Sequence, residues 1–151
     1  MKRNLFLFGT LAVGAIALVS SSGGVAANQQ GANRTGELGP NATCIQCHNS
    51  GDFGATTSIE LTHPDSAGAV SAYLPGTEYV LNITVNTSNG TAPVHGMQST
   101  AVDANGNNAG TFSVPSANAQ LMDGQDGRHI FEHSLSSSSN TFSATWLAPS
   151  N

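Results

Sequence analysis

Between residues 78 and 86 the chain alternates. Tyr79, Leu81, Ile83 and Val85 are apolar, and the intervening Val80, Asn82, Thr84 and Asn86 are mostly polar. Successive side chains of a strand point to opposite faces, so a period of two predicts a strand with one buried face. Phe142, Ala144 and Trp146, set against Thr141, Ser143 and Thr145, predict a second. Weaker strand candidates cover 56–61, 97–103, 111–114 and 129–133. Turn chemistry separates them: Pro75-Gly76, Ser88-Asn89-Gly90, Asn105-Gly106-Asn107, Asp123-Gly124 and the polar run 136–140. No helical period is sustained after residue 27. Short strands divided by such turns predict an all-β fold, an antiparallel sandwich.

The first residues follow a different logic. Lys2 and Arg3 precede an apolar stretch over 5–19, and small residues then lead to Val25-Ala26-Ala27. That order is a secretory signal peptide, which predicts a leader over 1–27 with a cut after Ala27. The apolar run is shorter than the roughly 20 residues a spanning helix needs, so no membrane insertion is expected after cleavage. No Cys ends the run, so a lipid anchor is not expected either. Export places the chain in a periplasmic, extracellular or cell-surface compartment.

Losing the leader alters the charge balance. Of four basic residues only Arg34 and Arg128 stay, against nine acidic ones. So few cations cannot neutralise a phosphate backbone, which argues against nucleic acid as a partner. An anionic membrane surface is disfavoured for the same reason. Residues 28–54 are polar and irregular and read as a linker or arm; residues 55–151 form one domain. The chain stops just after the aromatic strand at 142–146. That predicts an exposed edge, completed by another chain or by residues beyond a truncated C-terminus.

The arm carries the chemistry. Cys44 and Cys47 are the only cysteines, and Cys44-Ile45-Gln46-Cys47-His48 has the spacing of a c-type haem attachment site. Two thiols separated by two residues can each add to one vinyl group of a porphyrin, and the next residue offers its imidazole to the iron. Covalent attachment holds a cofactor even where the surrounding protein is thin. Competing readings are a disulfide, favoured by an oxidising compartment, and zinc, for which no finger-like spacing follows. A catalytic dithiol would be expected beside a βαβ pattern, which is absent. Candidates for the second axial position are His63, His95, His129, His133, Met97 and Met122. Each also has a structural role open to it: the methionines as core packing, the histidines as loop or backbone-bonded residues.

Several segments together resemble a Reeler-type domain. They are Tyr73-Leu74-Pro75-Gly76 with Tyr79-Val80-Leu81, Gly96-Met97-Gln98 leading into Ala101-Val102-Asp103, Ala109-Gly110-Thr111-Phe112, Glu132-His133-Ser134, and Phe142 through Trp146-Leu147-Ala148-Pro149. The chain is more closely similar to secreted bacterial proteins that join this domain to an upstream Thr-Gly…Cys-x-x-Cys-His stretch, here Thr35-Gly36 through His48. The resemblance implies an immunoglobulin-like β-sandwich that lacks its last strand, preceded by an irregular haem-binding arm. In animal members the N-terminal cysteine pairs with one shortly before the His-Ser element, and this chain lacks that second cysteine. The same geometry would bring Cys44 near 123–128 and His48 within reach of His133. His133 is therefore the expected sixth ligand, with His129 and Met122 next. Met97 stands where the family has Phe.

The function expected is that of an exported monohaem c-type cytochrome-like protein in electron transfer or redox sensing. It would carry one covalent haem on Cys44, Cys47 and His48 and serve a redox partner protein, a basic one on charge grounds. The alternative is a secreted binding or adhesion module in which Cys44–Cys47 is a disulfide. Enzymatic function ranks third: the acidic residues are scattered, and no Ser lies on a strand-turn-helix elbow. A five-coordinate iron would open peroxidase or gas-sensing chemistry.

Overall fold

A computed structural model describes residues 23–37, 42–48, 53–66 and 68–150. The charged and apolar parts of the expected leader lie outside the described residues. The described chain is almost entirely antiparallel strand and loop. Four strands form one sheet in the order β1 (Thr56–Thr62), β2 (Glu78–Asn86), β7 (Thr141–Leu147), β4 (Thr111–Ser113). A second sheet has the order β3 (Gln98–Ser99), β6 (His129–His133), β5 (Ala119–Asp123). Helix is confined to one turn, α1 (Val25–Asn28), and a 3-10 turn at Cys44–Gln46.

The alternation in the sequence becomes a shared core. In the β2–β7 register Tyr79 faces Trp146, Leu81 faces Ala144, and Ile83 faces Phe142. These side chains lie on one face, and all six are buried. Directly opposed aromatic and aliphatic pairs stabilise by about 0.2–1 kcal/mol each beyond their burial. The second sheet contributes Phe131, whose ring centroid is 5.9 Å from that of Phe112 on β4. Met97, Ala119 and Leu121 complete the contact between the sheets. Trp146 also donates its indole N–H to Ala109 O at 3.0 Å, so the core indole is satisfied.

The aromatic strand is not itself an edge, although its neighbour β4 is. β7 is an inner strand, paired to β2 on one side and β4 on the other. Pairing continues past it, with Ala148 N donating to Thr77 O and Gly76 N to Pro149 O, each at 3.0 Å. The strands with one open side are β1, β4, β3 and β5.

β6 is buried on both faces. Phe131 turns into the core, whereas its neighbours Ile130 and Glu132, at 1% and 0% exposure, turn the other way. That outer face is covered by the N-terminal arm, which is docked along the sheet. Gln125 N donates to Gly31 O at 3.0 Å, and Gln98 Nε2 to Ala32 O at 3.2 Å. Asn33 Nδ2 donates to Asp126 at 2.8 Å, and Arg128 forms an ion pair with Glu37. The 123–128 turn is thus met by Gly31, Asn33 and Glu37.

Candidate functional site

The cysteine segment folds as a tight turn. Cys47 N and His48 N both donate to Cys44 O, at 3.2 and 3.0 Å, and Gln46 N donates to Thr43 O at 3.1 Å. Thr35 bridges Thr43 in antiparallel fashion, so the arm returns on itself just before the turn. This explains why Thr35 and the cysteine turn belong to one unit. Cys44 and Cys47 are not joined to each other by a disulfide. Partial burial pushes the Cys44 thiol pKa upward, the nearby Cys47 adds to this, and a backbone hydrogen bond opposes it. A redox-catalytic thiol needs the opposite shift.

Cys44, Cys47 and His48 line an open-sided cavity of about 670 Å³. The size falls within the roughly 300–1,000 Å³ of cofactor pockets. Its other walls come from the arm, through Val25, Asn28 and Arg34, and from the segment 94–98 with His133. Residues nearly 90 positions apart in sequence therefore face one space, because the arm crosses the β3–β6 side of the sheet.

The histidines and methionines sort cleanly. His95, Met97 and His133 line this cavity with the cysteine turn. His129 and Met122 do not; they line a separate, smaller cavity of about 270 Å³ with Thr111, Phe112 and Ile130. Both are expected as alternatives behind His133, and register sets them apart from the cysteine turn. Met122 pairs with Ile130, and Asp123 with His129, at the far end of the β5–β6 ladder from His133. His63 lies elsewhere again, edge-on to Tyr79 at 5.8 Å.

His133 is held in a defined orientation. Its Nδ1 lies 2.9 Å from Met97 O and 3.1 Å from Met97 N. Its ring packs on Gly96, where a Cβ would come within 2.9 Å of Cε1. Two tautomers meet this geometry: with Nδ1 bare the ring accepts Met97 N–H, and with Nδ1 protonated it donates to the Met97 carbonyl and leaves the Nε2 lone pair available, the arrangement that orients ligating imidazoles. His95 is fixed by its backbone, which exchanges hydrogen bonds of 2.7 and 3.1 Å with Ser137. Its Nδ1 is buried without a partner.

One further atom shares that condition. Arg34 Nε is buried and unpartnered, although Arg34 Nη1 donates to Asn33 O at 2.8 Å. Among the described residues these two nitrogens are the buried side-chain polar atoms left unsatisfied, and both belong to walls of the same cavity. Buried donors and acceptors are normally paired, so two orphans at one cavity mark a place built for a polar or ligating group. The sequence singled out Cys44, Cys47, His48 and His133 but gave no role to Arg34, and the buried Glu132 below the cavity floor was equally hidden. Neither has a local pattern that signals burial.

Among the described residues no three His, Cys, Asp or Glu side chains converge as a protein-only metal site would require. An iron held in a porphyrin needs only axial ligands from the protein, so the donor set of one turn histidine and facing His95 or His133 fits such a group. Among the described residues no helix is long and apolar enough to cross a membrane. No protein-family model, no curated protein and no solved structure matches this chain.

Proposed function

We propose that this chain is an exported monohaem c-type cytochrome-like protein that carries electrons for a partner protein or senses redox state. The observation that carries the reading is the shared cavity. The Cys44–His48 turn forms one wall, ligand-capable histidines line the others, and the two orphaned nitrogens belong to the same walls. Cys44 and Cys47 would hold the porphyrin edge through thioethers, and His48 would be the proximal ligand. His133 would offer a second imidazole donor through Nε2 when its Nδ1 proton is given to the Met97 carbonyl. Bound haem supplies one-electron chemistry at iron, whose potential responds to axial ligands, burial and nearby charge.

The chain's own residues do the rest. Met97 and Val94 bring apolar surface to the cavity, which lowers the local dielectric. Arg34 brings a positive charge to the cavity wall, which would favour an anionic group on a bound cofactor. The net negative charge of the chain, which has nine acids in all against few bases, would steer a basic redox partner. The fold that supports this is best read as an immunoglobulin-like sandwich of Reeler type, with its second sheet serving as the floor of the site.

The test is a Soret band in the exported protein that survives denaturation and acid-acetone extraction. Replacing Cys44 and Cys47 by Ser should abolish it. A maturation-competent preparation of the unaltered chain with no such band would overturn the proposal.

A further inference from the structure

We infer that the exported chain begins no later than Gly24, with the leader cut at or next to the bond between Ser22 and Gly23, because Glu132 is a buried socket for the segment that follows. The carboxylate of Glu132 is wholly buried on the outer face of β6. A buried charge is tolerated only when its acceptor sites are filled. Oε2 accepts Ala26 N–H and Gln98 Nε2, both at 2.9 Å. Oε1 accepts Ala27 N–H and Gln120 Nε2, both at 3.0 Å. Two of the four donors thus belong to residues that a cut after Ala27 would remove.

The rest of the segment is fitted as closely. Ala26 has no exposed surface. At Gly24 an added Cβ would lie 2.0 Å from Glu132 Cδ, so the backbone approaches the carboxylate as only glycine allows. Asn28 N donates to Gly24 O at 3.0 Å, and the Asn28 side-chain amide also donates to Gly23 O. Gly23 and Val25 further line the cavity that holds the cysteine turn. A cut after Ala27 would strip two donors from a buried carboxylate and open one wall of that cavity.

The sequence offers a processing site that avoids this. Ser20 and Ser22 place small residues at the third and first positions before a bond between Ser22 and Gly23, the small-x-small pattern leader cleavage requires. The inference stands on the Glu132 contacts and holds whatever the cavity binds. It shares with the proposed function only the export signal.

Intact mass and N-terminal sequencing of the exported protein, expressed from the full-length chain, test it. An N-terminus at Gly23 or Gly24, or a residue or two earlier, is the expected result. A chain that starts at Val25 or later, or keeps the whole leader, would overturn it. Gly24→Ala supplies a second measurement on the same secreted protein. Its melting midpoint should fall by at least about 5 °C, and outright loss of folding points the same way. An unchanged midpoint would show that the segment is dispensable and would also overturn the inference. Haem content can be read from the same samples, so a failure here is separable from a failure of the cytochrome reading.

Discussion

Glu132→Ala on a chain retaining residue 23 onward probes how the arm is held. The substitution removes both oxygens that receive Ala26 N–H and Ala27 N–H, and the Ala26 site is buried. The Gln98 and Gln120 amides can turn towards water, but the two backbone donors cannot leave without undocking the arm. An unsatisfied buried donor costs about 1–3 kcal/mol, and removing the charge relieves some desolvation in return. The net expectation is a loss of about 2–4 kcal/mol. Glu132→Gln keeps the shape and one acceptor. Gln98 Oε1 already accepts Arg34 N, whereas Gln120 has no such second bond and can flip to meet the new amide. That variant should lose about 1–2 kcal/mol, roughly one hydrogen bond. Urea unfolding followed by fluorescence of Trp146, the one tryptophan and a core residue, gives both numbers. Glu132→Ala within about 0.5 kcal/mol of the parent would refute the docked arm.

In the reduced holoprotein, His133→Ala should open the iron to carbon monoxide, read as a shifted Soret band. His129→Ala and Met122→Ala, which face the other cavity, should leave the spectrum unchanged; an effect from either would contradict the division between cavities. Gly96→Ala forces a Cβ against the His133 ring and should cost about 1–3 kcal/mol as an overpacked contact, measured by the same urea titration. In protein made without haem maturation, Cys44 should alkylate more slowly than a free cysteine near pH 7. Burial raises its pKa, so the reactive thiolate accumulates only at higher pH, and the rate should climb through and beyond the range where an ordinary thiol levels off. Alkylation near neutrality at or above the free-cysteine rate, followed by mass spectrometry, would favour an activated redox pair.

Much of the sheet could be read from side-chain order. β2 and β7 carry strong alternation, and their apolar faces meet in the register that alternation requires. β5 is not among the strands that alternation picks out, because Ala119-Gln120-Leu121-Met122-Asp123 has no β-branched or aromatic residue; its strand state comes from pairing with β6. On β6 the sequence suggested one useful face, His129, Phe131 and His133. Burial of Glu132 on the other face could not be read, because it depends on an arm about 105 residues away. The arm itself looked like linker because it docks through backbone groups and amides, and polar composition hides such contacts. At the site, the turn at Cys44–His48 was legible from local spacing. Its opposing wall was not, since only the sheet topology brings 94–98 and His133 to it.

On the proposed reading, one haem is covalently held by Cys44 and Cys47 in the cavity shared with His48, His95 and His133. Intact mass of the exported protein, taken with the visible spectrum of the same sample after reduction, tests it most directly. The expected result is a mass increased by one haem that persists after denaturation, and sharp reduced bands of a six-coordinate, histidine-ligated iron. A colourless protein at the polypeptide mass, or at that mass less two hydrogens for a Cys44–Cys47 disulfide, would contradict it.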